Sequence, residues 1–315
     1  MSGSKPVVLV TGASGFVGRH LVPALARAGW TVRRAVRTPQ GLDDEVVIKT
    51  IGADTDWQAA LDGVDAVVHL AARVHHKHEE HAVTLYRNVN ILGTLHLAGS
   101  AATAGVRQFI FVSTVLVHGR SNEGRAPFCE NDVLTPRGLY GLSKAAAEAG
   151  LKTIAYASAM NISVIRPPLV YGAGAKGNFA LLKRAVDLGV PLPFAAIRNH
   201  RAFVAVQNLS SFIQRRLAYP DPASNFEIFL VADQEQVSTP EFIERLARAS
   251  GKRARLFGVP PSLLGRLLGA IGRQDTRDSL ISSLELDVSK AMATGWQPEV
   301  SLDEGLRLAL LDQDA

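Results

Sequence analysis

The sequence predicts a doubly wound α/β fold: a parallel sheet covered by helices on both faces, with a smaller, interleaved C-terminal part. Three observations lead there. The apolar strand candidates are continuous rather than alternating, helix-length patterns separate them, and three glycines crowd the turn after the first strand. Continuous apolar strands are buried on both faces, which is the environment of a parallel sheet wrapped by helices.

The elements follow in order. "PVVLVTG" reads as the first buried strand, "GRHLVPALARAG" as a helix ending at Gly29, and "TVRRAVRT" as the second strand. "DWQAALDG" is a short helix and "DAVVHLAA" another buried strand. "TLYRNVNILGTLHLAGSAATAG" reads as one long helix closed by Gly105, with the strand "QFIFVST" after it. The alanine-rich "GLSKAAAEAGLKTIAYAS" is a helix and "ISVIRPPLV" a strand. Past residue 170 the alternation loosens. "FEIFLVAD" is one more strand, and "STPEFIERLARASG" is a capped helix with Pro240 in its first turn. Short helices, a "LELD" strand and the helix "SLDEGLRLALL" complete the chain. The expected division is a first domain over residues 1–168 with return segments near 201–233, and a second over 169–200 and 234–315.

A chain of 315 residues with 47% hydrophobic and 20% charged positions has the profile of a globular protein with a substantial core. Its one cysteine, Cys129, excludes an internal disulfide framework and suits a reducing compartment. The opening "MSGSKPVVLVTG" lacks the layout of a secretory leader, so a cytoplasmic location is expected. The apolar stretch 259–272 is interrupted by Arg266 and is shorter than the roughly 20 residues a span requires, so no membrane insertion is expected. Lysine and arginine exceed the acids by 34 to 29, a net charge of +5. Spread along the chain, that excess suits a small polyanionic ligand and predicts no nucleic-acid partner.

The glycine turn, "TGASGFVG", carries Gly12, Gly15 and Gly18. Glycines there permit a tight turn, close approach of backbone to a pyrophosphate, and close helix–strand packing. A helix opening near Phe16 and Val17 aims free N–H groups and a partial positive charge at the phosphates of a dinucleotide. The second strand should then end in an acid for the ribose hydroxyls, but Val36 stands there with Arg37 beside it. An arginine can pair with a 2′-phosphate, so NADP(H) is favoured, with NAD(H) possible. The plainer alternative leaves Arg34 and Arg37 as solvated charges.

At the chemical end, "QFIFVST" closes with Ser113 and Thr114, and "LYGLSK" places Tyr140 and Lys144 one helical turn apart on one face. A phenol, with an ordinary pKa of about 10, is a poor acid–base group at neutral pH. A neighbouring ammonium stabilises its phenolate and makes it usable, while the Thr114 hydroxyl could hold a substrate oxygen in line.

In these residues the chain resembles the extended short-chain dehydrogenase/reductases. The likeness rests on "TGASGFVG", "HLAA", "NVNILGT", "FVSTVLVHG", "YGLSK" and "RPPLVYG", and it covers nearly the whole chain. It implies a Rossmann domain with Thr114, Tyr140 and Lys144 as the catalytic trio, Lys144 also holding the nicotinamide ribose. Asn90 would anchor the backbone or a water at the site, and Ala71, Ala72 and Pro167 would line the cofactor. Asn178, Arg201 and Arg277 match positions that hold the diphosphate of a sugar nucleotide, a task that suits bidentate guanidinium groups. The resemblance also implies a homodimer built on the helix from Gly141 and the helix near Tyr86.

Sugar-nucleotide dehydratases place an Asp-Glu pair directly after the strand-end threonine, but here Val115, Leu116 and Val117 follow Thr114. Without those carboxylates a leaving hydroxyl lacks its acid, which disfavours a dehydratase; related decarboxylases are disfavoured on similar grounds. The combination of "LAARVH", "RPPLVYG", "NF" and "VPPSLLGRLL" resembles reductases that make UDP-N-acetylquinovosamine. This resemblance implies an NAD(P)H-dependent reductase of the C4 keto group of a UDP-4-keto-6-deoxy-hexose in surface-polysaccharide biosynthesis. Alternatives are a nucleotide-sugar 4-epimerase, a reductase of non-sugar substrates, and a non-catalytic NADP-sensing or scaffold protein.

The stretch 75–81 holds four histidines and two glutamates. His78 and His81 are three residues apart rather than four, and no thiolate is near, so no metal is expected. The cluster reads either as a polar surface loop or as a place where His75 or His76 faces the sugar.

Overall fold

The computed structural model describes residues 5–74, 82–221, 223–270 and 274–311. The histidine cluster at 75–81, His75 included, lies outside the described residues. The described residues form two compact units. The first takes in 1–117, 133–166 and 210–229, and the second 118–132, 167–209 and 230–315.

The first unit runs β1 (Val7–Thr11), α1 (Phe16–Arg27), β2 (Thr31–Val36), β3 (Glu45–Val47), α2 (Gln58–Leu61) and β4 (Ala66–His69). Then come α3 (Ala82–Tyr86), α4 (Thr94–Thr103), β5 (Gln108–Val112), α5 (Gly138–Tyr156) and β6 (Asn161–Arg166). The sheet order is β3-β2-β1-β4-β5-β6, closed by a strand at 226–230. The pairs from β3 across to β6 are parallel, with Thr11 opposite Ala35 and His69, and His69 opposite Phe111. The chain steps outward from β1 to β3 and then returns to β4 beside β1, so the order reverses between β1 and β4. At such a reversal the carboxyl ends of the strands leave a crevice for a ligand. Val8, Leu9 and Val10, then Val67 and Val68, are fully buried, as the continuous apolar runs require. Leu97, Phe109, Phe111, Leu151 and Val164 belong to the same core cluster, each buried side chain contributing roughly 1.5–3 kcal/mol.

Three readings of the sequence are corrected here. The long helix is not uniform: between α3 and α4 the chain forms a π-helical segment, Arg87–Gly93. One wider turn leaves the apolar periodicity almost unchanged, so the pattern does not reveal it. "ISVIRPPLV" is two strands, because Pro167 and Pro168 lack N–H groups and end β6. "LELD" forms single bridges, Arg201 to Leu284 and Phe128 to Leu286, rather than a strand.

In the second unit, β7 (Leu169–Tyr171) and α6 (Asn178–Asp187) precede β8 (Phe203–Ala205), which pairs parallel with β7. α7 (Val206–Ala218) and β9 (Phe226–Leu230) carry the chain through the first unit's return segment. α8 (Thr239–Ala249), α9 (Pro261–Ala270), α10 (Gln274–Ile281), α11 (Ser289–Ala293) and α12 (Leu302–Leu310) follow. Ser238 caps α8 by accepting from the Glu241 N–H at 3.2 Å, as "STPE" predicts. Tyr171, Phe179, Phe203, Phe242 and Leu306 share this unit's core. Asp233 ties it together, accepting from the Tyr171 hydroxyl at 2.8 Å, Ala205 N at 3.0 Å and Asn208 Nδ2 at 2.7 Å. Among the described residues, no helix is long and apolar enough to cross a membrane.

Candidate active site

The turn after β1 is built as its glycines require. Gly12 has φ +71, and a Cβ placed on it would stand 2.9 Å from Ala71 N. Gly15 N donates to Gly12 O at 2.9 Å and closes the turn. A Cβ on Gly18 would stand 2.5 Å from Ala13 O, so α1 can pack this close only without a side chain there. Phe16 and Val17 open α1 behind Gly15, and no side chain caps that end. The amide groups of the first turn are therefore left without a side-chain cap beside a turn that admits no Cβ at Gly12 or Gly18, a cradle that fits a dinucleotide pyrophosphate.

Ala71 is fixed from both sides, since its N–H also donates to Thr11 Oγ1 at 3.3 Å. Thr11 Oγ1 meets His69 Nδ1 at 2.6 Å, and His69 Nε2 meets Thr94 Oγ1 at 3.0 Å. Burial, with the nearby Lys144 charge, pushes His69 down to about 3, so the ring stays neutral and serves as a hydrogen-bonded peg. Ala72 follows, half-buried. Arg73 N then donates to Asn90 Oδ1 at 2.7 Å, while Asn90 Nδ2 donates to Arg73 O at 3.1 Å and to Ser143 Oγ at 2.9 Å. Asn90 lies in the π-helical segment and is almost fully buried. It fastens the loop after β4 to α5, where Ser143 Oγ donates to Tyr140 O at 2.8 Å.

At the end of β2, Val36 is buried and Arg37 is exposed. A cavity of 220 Å³ opens there, lined among others by Ser14, Arg19, Arg34, Val36, Gln40 and Glu45. Arg34 is not simply solvated, because its Nε donates to Asp44 at 2.7 Å. Arg19, one turn into α1, lines the cavity where Arg37 does not; the sequence pattern offers no sign of it.

Tyr140, Lys144 and Thr114 all belong to the first unit. Lys144 is 1% exposed, donates from Nζ to Val112 O at 2.8 Å, and sits 4.2 Å from the centre of the Phe111 ring. Its Nζ is 6.0 Å from the centre of the Tyr140 ring. Burial pulls its ammonium down to about 7, opposed by the Glu148 charge. Burial, reinforced by Tyr86, raises the Tyr140 phenol, which keeps it protonated at neutral pH. Thr114 Oγ1 accepts from Leu116 N at 3.3 Å and caps the turn Val115–Val117. That turn can press against α5 because position 141 is glycine: a Cβ there would be 3.0 Å from Leu116 O.

The residues expected at a sugar nucleotide lie in the second unit. Asn178, first in α6, donates from Nδ2 to Ser279 Oγ at 3.2 Å. Arg201 is buried and donates to Asp278 O at 3.1 Å and to Ser282 O, and burial lowers it to about 10. Arg277 is exposed on α10, where a Cβ on Gly265 of α9 would stand 3.3 Å from its Nε. The three therefore gather around the segment 277–282. Pro167, buried, opens the second unit after β6. Among the described residues, no group of three or more His, Cys, Asp or Glu is placed to hold a metal.

The family model for the NAD dependent epimerase/dehydratase family matches residues 8–232. The chain belongs to that family. It is 39% identical over 310 residues to a UDP-glucose 4-epimerase of Vibrio cholerae, covering 95% of this chain and 93% of that one. It is 27% identical over 319 residues to a GDP-6-deoxy-D-mannose reductase of Pseudomonas aeruginosa, covering 98% and 97%. A crystal structure of UDP-glucose 4-epimerase from Thermus thermophilus complexed with NAD is similar at a TM-score of 0.75 and 25% identity, covering 96% and 97%. This member of the epimerase/dehydratase family is thus an NAD(P)-dependent enzyme of the oxidoreductase type.

Proposed function

We propose that the protein reduces the C4 keto group of a UDP-4-keto-6-deoxy-hexose with NADPH, in a cytoplasmic step of surface-polysaccharide synthesis. The observation that carries this reading is the trio in the first unit: a protonated phenol, a buried ammonium and a strand-end hydroxyl, with apolar residues where a dehydratase needs carboxylates.

The chain's residues divide the work. Gly12, Gly15 and the first turn of α1 hold the dinucleotide phosphates, with Ala71, Ala72 and Pro167 beside the cofactor. Bound NAD(P)H supplies a hydride to the sugar C4. Thr114 Oγ1 already accepts from Leu116, so its hydroxyl proton is the group left to donate to the keto oxygen. Tyr140 gives its proton to that oxygen as it gains charge, and the Lys144 ammonium stabilises the phenolate left behind. Lys144 is cationic below about pH 7 and loses its charge as pH rises through that value, so reductive turnover falls on the alkaline side. Asn178, Arg201 and Arg277 hold the diphosphate, the two guanidinium groups meeting its charges. The cavity at Arg19 and Arg34, with Val36 in place of an acid, supports NADP(H) over NAD(H). Val83, Leu142 and Tyr156, at 65%, 51% and 69% exposed on α3 and α5, support a homodimer through those helices.

A second reading, 4-epimerisation with a recycled cofactor, is favoured by the likeness to the Vibrio cholerae protein. Near-ultraviolet absorbance of NADPH and NADH, followed with UDP-4-keto sugars, separates the two. One NADPH consumed per sugar is the expected result. Interconversion of UDP-sugars with no net consumption establishes the epimerase instead.

A further inference from the structure

One turn beyond Lys144, on the same face of α5, lies Glu148, 3% exposed. Arg166 Nη2 donates to its Oε2 at 2.6 Å, and Arg166 Nε lies 3.2 Å from both oxygens. Ser113 Oγ donates to its Oε1. Ser113 follows Val112, whose carbonyl receives Lys144 Nζ. Val112 at the end of β5 and Ser113 after it thus hold the two buried charged side chains of α5.

An isolated buried ion loses several kcal/mol of hydration and persists only when paired. The bonds that seat Lys144 are a neutral carbonyl and the face of Phe111. The groups around it are Tyr140 and Glu148 on α5, neutral His69 on β4, and Phe111 on β5, with Tyr86 reaching it through Tyr140 and Arg166 through Glu148. Glu148 is the one carboxylate in that set. A plain brace between α5 and β6 would need only the Arg166–Glu148 fork. Seating the carboxylate one turn from the ammonium, with Ser113 bound to its other oxygen, aims its charge along the helix as well.

We propose that Glu148, fixed by Arg166 and Ser113, is a positioning residue whose negative charge sustains the Lys144 ammonium beside Tyr140. The inference rests on the assignment of Tyr140 and Lys144 to catalysis.

The test is the pH titration of the Lys144 Cε signal in cofactor-free protein labelled with 13C-lysine, set beside the pH profile of kcat. Glu148→Gln keeps the shape and removes the charge, so the Lys144 midpoint and the alkaline limb of kcat should both fall by about one pH unit or more. Glu148→Asp keeps the charge and shortens the reach, so it should restore the midpoint. A brace alone predicts the reverse ranking, with Gln the milder change and no midpoint moving, and that result overturns the proposal. If Glu148→Gln does not fold, Ser113→Ala decides: freed of one donor, Glu148 should raise the midpoint by a few tenths of a unit, roughly the scale of one modest hydrogen bond. An unmoved midpoint there overturns it as well. Should the midpoint move as expected while Tyr140→Phe keeps full turnover, the catalytic assignment fails and the coupling stands.

Discussion

Tyr140→Phe is expected to lower kcat by about 10²- to 10⁴-fold, the usual contribution of a placed general acid, while dinucleotide and UDP affinity stay within about twofold of the parent. The change deletes one hydroxyl and leaves the ring beside Lys144 and Tyr86. Burial already favours the neutral phenol, so the fold does not depend on ionising it. An equal loss of turnover and of UDP binding would show that the hydroxyl serves binding rather than proton transfer. Rapid-mixing kinetics with equilibrium dialysis of UDP separates the outcomes.

Gly18→Ala should cost the enzyme its dinucleotide. The new methyl would meet Gly12 O, Ala13 O and Ala13 C, all of them backbone, so no flexible side chain can move aside. Either α1 tilts away or the turn after β1 opens, and each spoils the cradle. Overpacking of this kind costs about 1–3 kcal/mol. If that strain is relieved in the cradle, it appears as about a 10- to 100-fold rise in the dinucleotide Kd. Calorimetric titration with NADPH reads the affinity, and far-ultraviolet circular dichroism confirms that the sheet survives. Unchanged affinity in a folded variant would mean the phosphates rest elsewhere.

How much of this was legible in the sequence varied with the kind of signal. Strands buried on both faces leave continuous apolar runs, so β1, β4, β5 and β6 could be read directly. β3, Glu45–Val47, could not: it is three residues long, edge-placed and opens on a charged residue, and it resembles a loop. The doublet Pro167–Pro168 was visible and physically decisive, yet the apolar residues flanking it read as one strand. The proposed catalytic trio was legible because Tyr140 and Lys144 share a helix face and Thr114 follows the end of β5. Glu148 sits on that same face, four residues past Lys144, so the helix spacing alone places it there. Arg166 ends β6 and Ser113 follows the last residue of the neighbouring β5, and only the sheet brings them to Glu148. Arg19 was hidden for a similar reason, since its cavity is assembled from α1, β2 and β3.

The most direct measurement uses NADPH carrying deuterium at the transferable position of the nicotinamide, incubated with a UDP-4-keto-6-deoxy sugar. Mass spectrometry of the sugar product should find one deuterium, placed by NMR at C4, in the parent protein, and should find no labelled product with Tyr140→Phe on the same timescale. Product formed by the parent without deuterium, or NADPH left unconsumed while Tyr140→Phe matches the parent, would contradict the account.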